Sequence, residues 1–411
     1  MEEIKSREGR QHAAVAGAPR TGAGALGRRR TADRPLRVLL IGHQFQVATE
    51  GQAKAAALSK FEDLDIQVLC PEMYKEGEMR WRHPQIPEGG HYLLRSTEVR
   101  NAWSGSAKWY LQSYCRLKEI LTGLRPDVID LWEEPWSFLS VQVLRMRARW
   151  LPECRFISET EQNIFKNLPP PFEWFRSQTF KHADYLIARN TEAVAVARRK
   201  GYLGPARVVG NGVDTRLFRP MDRFICRREL GAEGFVLGYA GRLVREKGLE
   251  TLLRAFRLLK GKKLLLLSGD GPLREELCRE PFVKWLGVMP REELPVFYNA
   301  LDGLVLPSLT TASWKEQFGR VLVEAQACRT PVVGSDSGAI PEVIGEAGLV
   351  FTEGDVQSLY LALERLQAEE ELGGKLARLG LAKVALRYSW EAIATGMREV
   401  YLESFPGRRG V

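Results

Sequence analysis

Short apolar runs alternate with longer amphipathic stretches along most of the chain. In the first half, the runs predict β-strands at residues 37–42, 66–70, 128–132, 155–157, 185–188 and 207–209. In the second half, they predict strands at residues 235–239, 264–267, 303–307 and 332–334. Helices are predicted between the strands, including residues 108–122, 249–259, 273–278 and 321–327. Such alternation is typical of parallel sheets wrapped by helices.

The alternation divides into two series that meet near residue 211. We therefore predict an α/β protein with two Rossmann-like, doubly wound domains at residues 35–210 and 211–388. The carboxyl ends of both sets of strands would face one cleft, where ligands bind in open α/β sheets. A last helix, within residues 389–405, is expected to pack back toward the first domain. Residues 1–34 have almost no large apolar side chains and are predicted to form a disordered basic tail.

Length and composition exclude several classes of protein. A chain of 411 residues is long enough for two domains with separate cores. No apolar run approaches the ~18 residues of a membrane span, and no signal peptide is recognisable at the start. The six cysteines are scattered without metal-ligand spacing, which suits a reducing compartment and a cytoplasmic location. Asp63 and Asp65 form an Asp-x-Asp far from the candidate loops, and we interpret them as solvated.

The net charge of +9 is concentrated in the first half of the chain. Residues 1–210 contain 32 basic and 24 acidic side chains, whereas residues 211–411 contain 28 and 27. Part of the excess lies in two basic, aromatic-rich stretches, residues 108–125 and 145–150. Such a face favours peripheral contact with anionic lipid at the inner face of a membrane. A solvated helix face with its aromatic side chains in the core is the alternative, and charge alone does not indicate nucleic-acid binding.

Glu316 and Glu324 form the most informative chemical pattern in the sequence. They are eight positions apart, or about two helical turns. If a helix begins near Gly319, Glu316 lies in the preceding loop and both carboxylates can reach one ligand at the helix N-terminus. The free N–H groups there suit a phosphate, and carboxylates accept hydrogen bonds from hydroxyls. The pattern indicates a sugar or ribose joined to phosphate; two solvated glutamates are the alternative.

Other loops of the second half also follow predicted strands. In the stretch from Gly241 to Gly248, Arg242 and Lys247 bracket a turn and are candidates for a diphosphate clamp. Gly269-Asp-Gly-Pro allows close approach of the backbone to a ligand. The loops at residues 307–311 and 334–338 complete the set, and each taken alone is compatible with an ordinary turn.

Together these segments resemble a known family. The stretches GRLVREKG, GDGP, EQFGRVLVEAQAC and PVVGSDSGAIPEVIG, in this order, are similar to the C-terminal domain of retaining GT-B glycosyltransferases of glycosyltransferase family 4. The resemblance extends over residues 36–405 and is strongest in residues 235–355. It implies the GT-B fold and transfer of a sugar from a nucleotide-diphosphate sugar, with retention of anomeric configuration. It also implies that this reaction needs no cofactor.

The resemblance also implies roles for individual residues. Arg242 and Lys247 would bind the donor diphosphate and offset the charge on the leaving group. Glu316 would hold a hydroxyl of the transferred sugar, and Glu324 would hold the ribose hydroxyls. Because two cations and a helix terminus can replace a divalent metal, no metal is expected. The remaining donor-site residues implied in this way are Gly241, Gly269, Trp285, Leu286, Phe318, Gly319, Arg320 and Val321.

The acceptor side departs from the family pattern. Gly42 and Gly51 would shape the first loop there, but the histidine that many relatives place near the reacting sugar has no direct equivalent. Glu133 or Trp132 falls at its position; we favour Glu133 as the catalytic residue because a Glu-Pro follows it. His43, in the first loop, is the other candidate.

A second departure lies in the second half. Arg329 stands where relatives usually have glycine, which is costly if that position requires a positive φ.

The substrates are less constrained than the reaction. We expect a glycan or lipid-linked acceptor, as in polysaccharide assembly of the cell envelope, and no nucleic acid. A small soluble acceptor is one alternative. Another GT-B enzyme acting on sugar nucleotides, such as an epimerase, is a second. The donor nucleotide and sugar are not evident from the sequence.

Overall fold

A computed structural model describes residues 34–75, 81–85, 91–105 and 108–405 of the chain. The disordered tail predicted for residues 1–34 lies outside the described residues, except for Arg34.

Parallel strands form the centre of the first half. Its strands are β1 (Leu36–Ile41), β2 (Leu64–Pro71), β3 (Leu93–Thr97), β4 (Val99–Arg100), β5 (Ser113–Tyr114), β6 (Val128–Leu131), β7 (Arg155–Thr160), β8 (Tyr185–Ala188) and β9 (Ala206–Val208). Its helices are α1 (Ala53–Leu58), α2 (Leu117–Leu124), α3 (Phe138–Trp150), α4 (Phe172–His182) and α5 (Thr191–Arg199). Single turns of helix at His43–Gln46, Ala48–Gln52 and Trp109–Leu111 lie between them. The sheet has the order β3-β2-β1-β6-β7-β8-β9, with β4 and β5 paired separately.

The second half repeats this architecture. Its strands are β10 (Phe235–Ala240), β11 (Lys263–Ser268), β12 (Val283–Trp285), β13 (Gly303–Leu306), β14 (Val332–Ser335) and β15 (Gly348–Phe351). Its helices are α6 (Arg223–Leu230), α7 (Leu249–Leu258), α8 (Arg274–Leu277), α9 (Leu294–Ala300), α10 (Arg320–Ala327), α11 (Ile340–Ile344), α12 (Val356–Ala368), α13 (Glu370–Arg387) and α14 (Trp390–Glu403). A turn of 3₁₀-helix at Arg245–Lys247 precedes α7. The sheet has the order β12-β11-β10-β13-β14-β15, with all pairs parallel.

Apolar side chains bury both sheets, as the sequence pattern predicts. Central strands such as β6 and β13 are buried at every position, which is typical of parallel sheets covered on both faces. The first sheet has a separate apolar cluster on each face. The predicted α/β architecture with two doubly wound sheets is therefore confirmed.

The last helix, α14, returns to the first sheet. Its side chains Ile393, Met397 and Val400 are buried among residues of β1 and β2. Arg398 also makes a bidentate ion pair with Asp63 at 2.7–3.0 Å, and Asp65 binds Arg37 at 3.2 Å. Both aspartate side chains remain solvated, at 42% and 40% exposure, and each also holds an arginine.

The helix predicted at residues 108–122 is too long. Residues Ser113–Tyr114 form β5 instead, and Gln142 of α3 binds the backbone of Tyr114 at both its N–H and its C=O. Arg116 then has a φ of 55°, and α2 begins only at Leu117. The apolar pattern did not predict strands β3, β12 and β15. Each lies at a sheet edge and carries exposed positions that interrupt its apolar run.

Arg329 has a backbone conformation that favours glycine, the residue that relatives usually have at this position. Its φ is 60°, in the left-handed region, directly after the end of α10. In that region the Cβ of an L-residue lies close to the backbone, which costs about 1–2 kcal/mol. The side chain is exposed, so little packing compensates for this strain.

We predict that Arg329→Gly stabilises the protein by about 0.5–1 kcal/mol, because relief of strain exceeds the added entropy of a glycine in the unfolded chain. Arg329→Ala is the matched control, since it removes the same guanidinium but keeps Cβ. Urea unfolding of the three proteins measures the difference. Equal stability of the glycine and alanine variants would contradict the prediction.

Candidate functional site

Glu316 and Lys247 meet at the start of α10. The Nζ of Lys247 lies 2.7 Å from Oε2 of Glu316, and the hydroxyl of Ser308 donates to the same oxygen at 3.1 Å. The ring of Trp314 lies 4.5 Å from the same ammonium. Glu316 is in the loop after β13, as predicted, and Lys247 ends the 3₁₀ turn after β10. The carboxyl ends of neighbouring strands thus bring these side chains together.

Glu324 has different partners. It is 3% exposed, and its two oxygens accept hydrogen bonds from Arg291 at 3.0 Å and from the Tyr298 hydroxyl at 2.8 Å. Burial raises the pKa of Glu324, although Arg291 and Tyr298 oppose this shift. The Glu324 carboxylate is therefore not in contact with the Lys247–Glu316 pair but has its own partners. Each oxygen keeps a further acceptor site for a ribose hydroxyl, but only 3% of the residue is exposed.

Arg242 is also separate from that pair. Its side chain is 65% exposed and lies 3.8 Å from Glu246, whereas Lys247 is largely enclosed. In this structure, the two cations predicted to clamp a diphosphate therefore differ greatly in exposure and have different carboxylate partners.

The glycine loops of the second half lie side by side. A Cβ on Gly269, which has a φ of 132°, would be 1.9 Å from the carbonyl oxygen of Gly241, so only glycine allows this approach. The indole N–H of Trp285 donates to the Gly269 carbonyl at 2.7 Å, and Leu286 continues the β11 ladder through Leu267. These predicted donor residues form one continuous edge.

The N-terminus of α10 is open. Within the described residues, the N–H groups of residues 318–321 have no backbone acceptor, as expected for a first helical turn. Phe318 is buried against Tyr388, at a centroid distance of 5.5 Å, so only its backbone can serve a ligand. The backbone of Val321 lies in the first turn, and the Arg320 side chain makes an ion pair with Glu50 of the first half.

A cavity of about 500 Å³ lies between Arg320 and the carboxyl ends of the first sheet. His43 and Glu133 meet on its wall, with Nδ1 of His43 2.5 Å from Oε1 of Glu133. The backbone N–H of His43 donates to the same oxygen at 3.2 Å, and its ring stacks on Tyr74 at 4.4 Å. Two of the three residues left open for the missing histidine therefore form one pair. Gly42 and Gly51 lie in the loop that carries His43.

Trp132, the third candidate, also lines the cavity but has other partners. It is 7% exposed, and its ring has Lys54 at 4.5 Å and Arg189 at 4.7 Å. Both cations also bind Glu159, which lines the cavity. Burial by itself raises the pKa of Glu159, but the charges of Arg189 and Lys54 outweigh it and lower the pKa.

Asp130 completes this buried group of charges. It lies 3.6 Å from Lys54 and accepts a hydrogen bond of 2.6 Å from Tyr401 of α14. Burial, together with the charge of Glu159, raises the pKa of Asp130. The sequence reasoning missed this group. An aspartate inside the apolar run of β6 was its one visible signal, because its partners are far away in the chain.

Glu134 is a half-buried carboxyl on the same cavity wall. One oxygen accepts from the Thr160 hydroxyl at 2.7 Å and the other from the N–H of Glu161 at 2.9 Å. Burial raises its pKa to about 8, although these hydrogen bonds oppose the shift. Burial therefore favours the protonated form of this carboxyl.

Known proteins resemble this chain in sequence and fold. The family model described as Glycosyl transferases group 1 matches residues 234–369. D-inositol 3-phosphate glycosyltransferase of Corynebacterium jeikeium is 32% identical over 316 residues, which are 68% of this chain and 70% of that protein. O-antigen chain mannosyltransferase B of Escherichia coli is 33% identical over 186 residues, 42% of this chain and 47% of that protein. A structure of Anabaena HepE in complex with UDP and glucose has a TM-score of 0.63 at 20% identity, covering 90% of this chain and all of that one.

The raised pKa of Glu134 predicts a pH-dependent effect on stability. A carboxyl that binds its proton more tightly in the folded chain loses stability as pH rises from its unfolded pKa toward its folded pKa. Glu134→Gln keeps the neutral hydrogen bonds but does not titrate. Because the group is only half-buried, we expect the variant to gain about 1–2 kcal/mol over the wild type between about pH 5 and about pH 9.

Urea unfolding at several pH values measures this difference. Glu153→Gln, at an exposed glutamate in the same half, is the control. A constant stability difference between Glu134→Gln and the wild type across the pH range would show that the carboxyl titrates normally.

Proposed function

Because the chain belongs to the group 1 glycosyl transferases, we propose that it moves a sugar from a nucleotide-diphosphate sugar to a glycan or lipid-linked acceptor. The protein is a glycosyltransferase with the GT-B fold. We propose retention of anomeric configuration, as the sequence resemblance implies.

The Lys247–Glu316 pair beside the open end of α10 is the observation that carries this proposal. A lysine ammonium has three donors, so Lys247 can hold Glu316 and still donate to a phosphate oxygen. The N–H groups of residues 318–321 add a partial positive charge on the same side. Negative charge that develops on a leaving diphosphate would be stabilised there without reorganisation. The Glu316 carboxylate would accept a hydrogen bond from a hydroxyl of the transferred sugar.

The cavity supports a hydroxyl-rich acceptor. Carboxylates of Glu133, Glu159 and Glu161 line it, and carboxylates accept hydrogen bonds from hydroxyls. Arg320, the cation contributed to its lining by the second half, already makes an ion pair with Glu50. The acceptor thus proposed is a sugar of a growing glycan. Such an acceptor is compatible with the E. coli relative, which is named O-antigen chain mannosyltransferase B.

Contact with an anionic membrane surface is a further part of the proposal. Trp150 and Trp174 are 39% and 47% exposed, with Lys118 5.1 Å from the first ring and Arg145 5.9 Å from the second. Arg149 is exposed beside them. Exposed tryptophans next to cations suit the headgroup region of a bilayer. Among the described residues, no helix has the length and apolarity required to cross a membrane.

Part of the basic, aromatic sequence is not available for such contact. Arg147 is held by Asp184 at 2.7 Å and by the Cys154 carbonyl. Tyr114 is 2% exposed, and Tyr110 packs on Trp136 and Phe172. The side chain of Trp109 lies outside the described residues.

Donor hydrolysis without acceptor tests the proposed reaction. Wild-type protein incubated with UDP-glucose, GDP-mannose or ADP-glucose should release nucleotide from one of them, and the free nucleotide of that donor should raise Tm most by mass action. Lys247→Ala should lower the release rate by about 100-fold, because it removes a cation from the leaving group. NMR of the first anomer released tests retention.

Lys262→Ala is the matched control, since Lys262 is an exposed lysine of the same half paired with Glu233. It should leave both readouts unchanged. Absence of nucleotide release and of any thermal shift in the wild type would refute the proposed function.

Vesicle sedimentation tests the membrane contact. The wild type should bind vesicles rich in phosphatidylglycerol, bind phosphatidylcholine vesicles weakly, and dissociate as salt increases. Arg145→Glu combined with Arg149→Glu should reduce binding about tenfold or more, at about 1 kcal/mol for each lost cation plus repulsion. Lys262→Glu should bind as the wild type does. Equal binding by the double variant and this control would contradict the assigned surface.

A further inference from the structure

The backbone of the segment Glu316–Gln317 accepts hydrogen bonds from both halves of the protein. On the side of the second half, the N–H of Ala339 donates to the Glu316 carbonyl at 3.0 Å. A Cβ on Gly338, which has a φ of 56°, would be 2.1 Å from that same oxygen, so glycine is required for this contact. The Glu316 carbonyl is thus held closely by its own domain before any contact from the first half is considered.

Two asparagines of the first half donate hydrogen bonds to the same segment. The side-chain amide of Asn163 donates to the Glu316 carbonyl at 2.9 Å, and that of Asn190 donates to the Gln317 carbonyl at 2.6 Å. Asn163 follows β7 and Asn190 follows β8, and these strands are neighbours in the first sheet. Two adjacent strand ends therefore bind two consecutive carbonyls of the loop that carries Glu316.

Both asparagines are buried, and Asn190 is also held by its helix cap. Asn163 is 4% exposed and Asn190 is 1% exposed. The Oδ1 of Asn190 accepts from the N–H of Ala193 at 2.8 Å, which caps α5 and fixes which end of the amide faces Gln317. A buried amide that donates to a carbonyl gives a directional contact without adding charge next to the Lys247–Glu316 pair.

We propose that Asn163 and Asn190 are positioning residues that place Glu316 for sugar transfer when the cleft is closed. This proposal rests on the proposed function, because it assigns Glu316 to the transferred sugar. Opening of the cleft breaks both hydrogen bonds and releases the Glu316–Gln317 backbone from the first half. The donor loop therefore takes its working position only together with the acceptor cavity, which lies in the same half as the two asparagines.

The residue next to Asn190 provides an internal comparison. Thr191 also crosses the cleft, but its hydroxyl donates to Glu342 of α11 at 2.7 Å and does not contact the loop of Glu316. Thr191→Val removes the hydrogen bond of the hydroxyl in a side chain of similar shape and weakens this cross-domain contact, while the backbone N–H of Thr191 still donates to Glu342 at 2.9 Å. It thus distinguishes general adhesion between the halves from placement of Glu316.

Asn190→Asp and Asn163→Ala test the proposal. Aspartate caps a helix as well as asparagine does, so Asn190→Asp keeps the α5 cap and removes the donor to Gln317. With the donor that the wild type hydrolyses, each variant should lower kcat about tenfold and leave KM within about twofold, while Thr191→Val changes neither. Equal kcat values for the asparagine variants and Thr191→Val would overturn the proposal.

A readout independent of activity separates this proposal from the proposed function. Small-angle X-ray scattering should show a larger maximum dimension for the combined Asn163→Ala, Asn190→Asp variant than for the wild type, with Thr191→Val close to the wild type. Identical scattering of the double variant and the wild type would overturn the proposal that the asparagines hold the loop. If the wild type hydrolyses no donor, the proposed function fails, and the scattering comparison alone decides whether the asparagines hold the loop.

Discussion

Both passages of the chain between its two halves lie side by side. The N–H of Val213 donates to the Tyr388 carbonyl at 2.8 Å, and Val213 forms a bridge with Ser389. The first passage leads from β9 to the second half, and the second leads from α13 back through α14. The two passages are hydrogen-bonded to each other, so a relative motion of the halves would move both passages together. Contacts across the cleft would then form and break together.

The return of α14 links these two passages to the interior of the first half. Its buried side chains fill one face of the first sheet, and Tyr401 binds Asp130 beneath the cavity. Asp130 in turn adjoins Lys54 and Glu159, so the last helix completes a charge group that begins at the cavity wall. Removing one member of such a group leaves an uncompensated buried charge, which costs far more than an exposed ion pair contributes.

Much of the fold was accessible from sequence because it depends on local patterns. Apolar runs such as β10 and β13 predict buried parallel strands, and the loops after them predict the site edge. The helix at residues 108–122 was predicted wrongly because the pairing of β5 with β4 and its contact with Gln142 override local propensity. The edge strands β3, β12 and β15 were missed because their exposed positions interrupt the apolar pattern, whereas the edge strand β9 was predicted.

The candidate site was accessible only in part, for a related reason. Motif spacing located Glu316, Lys247 and the start of α10, which are set by neighbouring strand ends. Spacing gave no partner for Glu324, since Arg291 and Tyr298 come from another helix and its preceding loop. The meeting of His43 with Glu133, 90 residues apart, likewise depends on the order of β1 and β6 in the sheet.

Three cations around the cleft are each paired with a carboxylate. Lys247 holds Glu316, Arg291 holds Glu324, and Arg320 holds Glu50. Ser308 also donates to Glu316 and Tyr298 also donates to Glu324, so a phosphate could share the cations without leaving these two carboxylates unpartnered. A nucleotide sugar carries phosphates for the cations and hydroxyls for the carboxylates in one molecule. Because a lysine ammonium has three donors and a carboxylate has about four acceptor sites, its binding would add hydrogen bonds to these ion pairs, so the cleft would favour a ligand that combines both groups.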